Sequence, residues 1–293
     1  MSAAFLEPAL RAALGDPRLT CDRVVESGSA LHATARVETR AGVFFAKWSA
    51  RGPADQFLGE AAGLAALRDA AGEELVVPRV IAAAAPHAGV PGFLILEHLE
   101  PGASSVAEDE RLGRGLARVH RRSATAFGFG VETYCGGTPQ DNREATRWPD
   151  FYRDRRLLPL LVALERERGL SASDRRLFER LAARLPELVA AEAPPALIHG
   201  DLWSGNVLHT TRGPALIDPS CAFADREMEF GITTLFGGLS ARAWAAYEEA
   251  WPLPAGWRLR NGLYQLYHVL NHALLFGGGY AAQAREVARH YAG

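Results

Sequence analysis

Short apolar runs with strand-like alternation crowd the first hundred residues, and apolar positions at helical spacing fill the rest. The early pattern predicts strands over 23–26, 30–38, 43–48, 80–84 and 93–96. One helix over 55–70 interrupts them, with Phe57, Ala61 and Leu64 on its apolar face. After Pro101 the spacing turns helical over 108–121, 149–168, 173–191 and most of 226–291. A β island at 196–218 breaks that half. This order predicts an α+β chain of two lobes, a small β-rich lobe at 1–98 and a larger, mainly helical lobe at 99–293.

With 293 residues and 48% hydrophobic content, the chain can bury a full core. A net charge of −2 gives no electrostatic case for nucleic acid or an anionic membrane. Cys21, Cys135 and Cys221 are odd in number and widely spaced, which fits neither a disulfide framework nor a metal-ligand pair. Residues 1–16 lack a basic segment followed by an apolar stretch, and the apolar run at 81–85 stops at Pro86. A soluble cytoplasmic protein is expected.

Of 32 basic residues, Lys47 alone is lysine, and it sits in the buried-strand pattern Val43-Phe44-Phe45-Ala46-Lys47-Trp48. There a compact ammonium and a planar guanidinium are not interchangeable. Glu60 falls on the apolar face of the following helix, three residues after Phe57 and four before Leu64. A carboxylate facing the core is costly unless paired, and Lys47 is the expected partner. Such an ion pair positions a kinase lysine on the α- and β-phosphates of ATP. A solvated Glu60 at the rim of the stripe is the alternative.

The island carries the densest chemistry. After the apolar Ala196-Leu197-Ile198 comes His199-Gly200-Asp201-Leu202-Trp203-Ser204-Gly205-Asn206. Two further apolar runs, at 207–209 and 215–217, predict a hairpin. With its turn centred on Arg212, Val207 faces Ile217 and Asn206 faces Asp218. Opposed residues lie close enough for one oxygen ligand from each strand to meet a single Mg²⁺. Asp201 and Asn206 have the Asp-x-x-x-x-Asn spacing of a kinase catalytic loop, and the order of elements is that of kinase-like folds. An Asx-rich turn explains any one of these residues, but not three converging together.

Other candidates are looser. Gly28 and Ser29 lie between two strands, as a turn over phosphates or an ordinary hairpin. Glu97, His98 and Leu99 end a buried strand where the lobes join, and the backbone of Glu97 and Leu99 offers hydrogen bonds to adenine; a plain interdomain strand looks the same. No Gly-x-x-x-x-Gly-Lys-Ser/Thr segment exists, which excludes a P-loop enzyme.

On these residues the chain resembles the fructosamine kinase (ketosamine 3-kinase) family, relatives of the aminoglycoside phosphotransferases. His199 to Asn206 is similar to that family's His-Gly-Asp-Leu-Trp-x-Gly-Asn, with Trp203 as the specific part. Ile217-Asp218-Pro219, Asp225-Arg226-Glu227, Phe127-Gly128-Phe129, Gly137-Thr138-Pro139-Gln140 and Tyr264-Gln265-Leu266-Tyr267 are similar to further family segments. The resemblance implies a base role for Asp201, metal roles for Asn206 and Asp218, and a phosphate role for Lys47 paired with Glu60. It also implies ATP, Mg²⁺ and a ketosamine acceptor, free or on a glycated protein. Thr133, Cys135 and Glu229 depart from the family's usual residues, and the loop near Gly28 is poor in glycine. Trp203 either walls the acceptor pocket or packs under the loop. Asp225, Glu227 and Glu229 form an acidic cluster that either attracts the acceptor's amine or caps the next helix. Aminoglycoside or choline phosphorylation, and an inactive nucleotide-binding fold, are the rival readings.

Overall fold

The computed structural model describes residues 3–28, 32–189 and 192–293, so Ser29 lies outside the described residues. Helix α1 (Leu6–Leu14) precedes strands β1 (Cys21–Gly28), β2 (Ala33–Thr39) and β3 (Gly42–Ser49). Helix α2 (Gln56–Ala71) follows, then β4 (Val80–Ala84) and β5 (Gly92–Glu97). The five strands form one antiparallel sheet in the order β1-β2-β3-β5-β4.

Strand periodicity sorts the central strands into two faces. Phe44, Ala46 and Trp48 join Phe93 and Ile95 in a core closed by Leu6 and Leu10 of α1. Leu94 and Leu96 face the other way, against Phe57, Leu64 and Leu67 of α2, with Phe45 packed beside them. Lys47 therefore points away from α1, toward the α2 side. No helix was expected at α1, because the leading residues carry too short a period to separate from an apolar leader.

The second lobe begins with α3 (Val106–His120), whose N-cap Ser105 accepts a hydrogen bond from Glu108 N at 3.2 Å. A small hairpin, β6 (Thr133–Cys135) and β7 (Thr138–Gln140), follows. The helix expected over 149–168 is broken into α4 (Trp148–Phe151), a π-helical turn (Tyr152–Leu157) and α5 (Leu158–Arg168). Pro159 has no N–H to give the Arg155 carbonyl, which accepts from Arg156 Nη1 at 3.0 Å instead. Helix α6 (Ala172–Leu188) leads into the island, and α7 (Glu229–Phe236), α8 (Ala241–Ala250), α9 (Trp257–Phe276) and α10 (Tyr280–Ala292) complete the lobe. Leu263, Tyr264, Leu266 and Tyr267 of α9 are buried in its core. No helix among the described residues is long and apolar enough to cross a membrane.

The island is two separate pairs. Strand β8 (Ala196–Ile198) pairs with β11 (Ala222–Ala224), while β9 (Val207–Thr210) and β10 (Gly213–Leu216) form the hairpin. The hairpin register differs from the expected one by a residue: Leu216, not Ile217, stands opposite Val207. The loop is only Thr211 and Arg212, because Gly213 takes a positive φ of 134° and starts the return strand early.

Candidate active site

Residues 199–206 leave β8 and cross the mouth of the interlobe cleft. Gly200 has a φ of 81°, and a Cβ there would stand 2.2 Å from Ser220 O, so only glycine fits. The turn it makes exposes two backbone donors to Glu229, whose carboxylate accepts from His199 N at 2.5 Å and Gly200 N at 2.9 Å. His120 Nε2 lies 3.4 Å from the same carboxylate. Burial works to raise the Glu229 carboxyl, yet His120, His199 and these bonds hold it below the usual range. Glu229 is fully buried. It fastens the loop from behind.

Glu229→Gln keeps the shape but sets an amide N–H₂ against one of the two backbone donors. The expected cost is about 1–3 kcal/mol for the unserved buried group, read as a lower Tm together with a lower kcat. Because folded Glu229 holds its proton more weakly than the unfolded chain does, it adds stability at neutral pH that is lost as pH falls through its lowered pKa. The variant should therefore also flatten the acid limb of the stability curve. An unchanged Tm would contradict this fastening role.

Within the loop, Asn206 Nδ2 donates to Asp201 O at 2.8 Å and Asp201 Oδ2 at 3.2 Å. With the amide nitrogen committed, Asn206 Oδ1 is the end left for a ligand. His199 Nε2 donates to Ile217 O at 2.8 Å, tying the loop to the strand that leads to Asp218. Asn206 O accepts from Ile217 N at 3.1 Å, so Asn206 is opposite Ile217 and not Asp218. Asp218 enters the cleft by another route, a left-handed φ of 54°. Among the described residues only Ala88 shares a positive φ without being glycine.

Lys47 Nζ meets both lobes, 2.6 Å from Glu60 Oε2 and 2.9 Å from Asp218 Oδ1. The side chains of Lys47 and Glu60 are only 4% and 10% exposed, whereas that of Asp218 is 47% exposed and open to the cleft. Burial opposes the ammonium, but Glu60 and then Asp218 more than offset it and raise its pKa. Burial pushes Glu60 up to about 7 against the pull of Lys47. A 2.6 Å contact with an ammonium held in its charged form makes this an ionised pair. For Asp218, burial acts upward, and Lys47, with His199 and His32, brings the carboxyl below its usual range. Asp201 goes the other way, to about 8, through burial first and the Asp218 charge second.

These groups line one cleft of about 440 Å³, with His32, Gln56, Tyr134, Gly136, Trp203 and Pro219 completing it. Asn206 Oδ1 and the Asp218 carboxylate are hard oxygen donors on one wall. Mg²⁺ takes one or two such protein ligands beside phosphate oxygens and water, so the donor set fits a divalent cation. A second, flatter space of about 150 Å³ adjoins Asp218, lined by Phe45, Pro78, Leu96, Glu97, His98, Leu99, Leu208 and Ile217. The Glu97 carboxylate is taken by Arg212 Nη2 at 2.9 Å and Arg79 N at 3.0 Å, and His98 N by Val43 O at 3.2 Å.

The acidic cluster is not at the cleft. Asp225 accepts from Glu227 N at 3.0 Å and from Tyr264 OH at 2.6 Å, which makes it the cap of the turn Arg226–Met228. Glu227 is held by Arg260 at 2.6 Å, and Glu229 fastens the loop. All three are buried, so none is available to an acceptor's amine. Trp203, 40% exposed, does line the cleft. Its ring lies over Gly205, where a Cβ would be 2.3 Å from Trp203 Cη2. Gly28 ends β1 opposite Ala33 and is not among the cleft-lining residues.

Sequence reasoning missed Tyr134 and Gly136. Tyr134 OH donates to Asp55 Oδ1 at 2.5 Å, and Thr133 Oγ1 to Gln140 Oε1 at 2.8 Å. The Gly136-Gly137 pair between two short polar strands is a hairpin signal that could have found them. His32 and Gln56, which contact one another, had no such signal.

Residues 7–292 match the family model described as fructosamine kinase. A chloroplastic protein-ribulosamine 3-kinase of Oryza sativa subsp. indica is 35% identical over 270 residues, 90% of this chain and 77% of its own length. A crystal structure from Thermobifida fusca, provisionally assigned as a fructosamine-3-kinase, is 32% identical with a TM-score of 0.86 and covers 98% of each chain. The aminoglycoside phosphotransferase APH(4)-Ia, in a complex with AMP-PNP and hygromycin B, has a TM-score of 0.63 at 16% identity and covers 99% of this chain and 98% of its own. That last likeness shows the fold alone.

Proposed function

This chain belongs to the fructosamine kinase family, and we propose that its cleft transfers the γ-phosphoryl of ATP to a sugar hydroxyl of a ketosamine. The acceptor is a fructose- or ribulose-amine adduct, on a small molecule or a glycated protein, and the role is repair by deglycation. The observation that carries this reading is the convergence of Lys47, Asp201, Asn206 and Asp218 on one cleft, from both lobes.

Each residue has a task. The slot beside Glu97, His98 and Leu99 takes the adenine between apolar walls. Lys47, held by Glu60, places its ammonium on the α- and β-phosphates. Asn206 Oδ1 and Asp218 would hold Mg²⁺. The cation, when bound, neutralises phosphate oxygens and the charge that develops on them. Asp201, kept in place by Asn206 Nδ2, orients the acceptor hydroxyl and takes its proton. Its raised pKa poises it near the operating pH of a general base. Positioning and fixed electrostatics supply most of the acceleration.

Trp203 is the acceptor wall, an aromatic face against the apolar side of one sugar chain. Trp203→Ala should raise the acceptor KM, or lower kcat, about tenfold with little change in the KM for ATP, since a lost ~1–3 kcal/mol contact falls on one substrate only. Steady-state kinetics with a ketosamine, kanamycin and choline test the reading. The ketosamine should have the highest kcat/KM. A better rate with kanamycin, or indifference to the loss of Trp203, would leave a phosphotransferase of another acceptor.

A further inference from the structure

Behind Asp201, three ligand-type side chains from distant parts of the chain come together. Cys135 of β6, Asp201 of the loop and His268 of α9 each offer one atom within 4.8 Å of the others. Cys135 Sγ lies 3.9 Å from Asp201 Oδ1. His268 is 1% exposed, and its Nδ1 is buried with no hydrogen-bond partner among the described residues. The thiol also has hydrogen-bonding neighbours in Asn271 and Ser220, but a buried imidazole nitrogen without a partner costs stability.

We propose that Cys135, Asp201 and His268 form a three-ligand site for Zn²⁺ or a similar borderline-soft divalent cation, with Asp201 the ligand that also lines the cleft. Tetrahedral zinc with bonds of about 2.3 Å to sulfur and about 2.0 Å to oxygen sets those two atoms about 3.5 Å apart. The observed pair needs to close only slightly. Cys135 binds as thiolate, and its thiol proton leaves to solvent. A thiolate and an imidazole select against hard Mg²⁺, whose oxygen donors are Asn206 and Asp218 on the other side of Asp201. Because Asp201 is common to this site and to phosphoryl transfer, zinc occupancy and catalysis exclude each other. The inhibition, though not the binding, rests on the base role proposed for Asp201.

Cobalt reports the binding directly. Titrating the full chain with Co²⁺, without ATP or Mg²⁺, should give the near-ultraviolet thiolate-to-metal absorption of a sulfur-ligated tetrahedral ion. Zn²⁺ should displace it. Cys135→Ala and Cys135→Ser should each lose the band and weaken Zn²⁺ binding about tenfold or more, the least expected for a direct ligand. Cys21→Ser should keep it. In the kinase assay, Zn²⁺ should inhibit the parent chain in the presence of excess Mg²⁺ and inhibit Cys135→Ala far less. No cobalt–thiolate band, or the same band in both Cys135 variants, overturns the site. Equal inhibition of parent and Cys135→Ala, relieved in both as Mg²⁺ is raised, would place the zinc at the hard cation site and also overturns it. A cobalt band in a chain that phosphorylates no ketosamine would sink the proposed function and leave this site standing.

Discussion

Asp201→Asn should lower phosphoryl transfer by about 10²–10⁴-fold, the usual range for removing a general base, while ATP affinity stays close to that of the parent chain. The amide keeps the shape and can still accept from Asn206 Nδ2, but it cannot take a proton from the acceptor hydroxyl. Folding should not suffer. A neutral group replaces a carboxylate that burial and the Asp218 charge already disfavour, so the Tm should hold or rise. Single-turnover rates with a ketosamine, nucleotide titration and a thermal melt separate these effects. Loss of ATP affinity in step with rate would make Asp201 a metal ligand or a scaffold residue instead.

Lys47→Arg is the second large effect, expected to cost about 10²-fold or more in kcat/KM despite keeping the charge. Lys47 Nζ reaches Glu60 and Asp218 at once, 2.6 and 2.9 Å away, from inside a nearly closed site. A guanidinium is wider than an ammonium and directs its donors in a plane, so it cannot meet both carboxylates and a phosphate from the same strand position. Overpacking there adds strain of about 1–3 kcal/mol, which a melt would register. Near-normal kcat/KM would reduce the chain's only lysine to an accident of composition.

Local periodicity explains what was legible. Period two in β3 and the helical spacing around Phe57 and Leu64 were enough to put Lys47 and Glu60 on facing surfaces, where they form their ion pair. The Asp201 to Asn206 spacing lies within one loop, and there too short-range sequence suffices. Asp218 was placed in the right neighbourhood by a wrong register. Its arrival depends on a left-handed φ at a non-glycine residue and on an early return at Gly213, which apolar patterning does not encode. The acidic residues stayed open between two roles for a different reason. Whether Asp225, Glu227 and Glu229 face solvent or core is decided by Tyr264, Arg260 and His120, partners up to 109 residues away. Charge density alone cannot reveal such partners. The hairpin at Tyr134 and Gly136 was passed over because its strands are three residues long, too short for alternation to register.

The most direct test of the central claim is ³¹P NMR of the products when the full chain is incubated with ATP, Mg²⁺ and a free fructose- or ribulose-amine adduct. The account predicts one new phosphomonoester resonance coupled to a sugar proton, growing in step with ADP and absent with Asp201→Asn. ADP accompanied only by inorganic phosphate, or a phosphomonoester that forms on kanamycin but on no ketosamine, would contradict it.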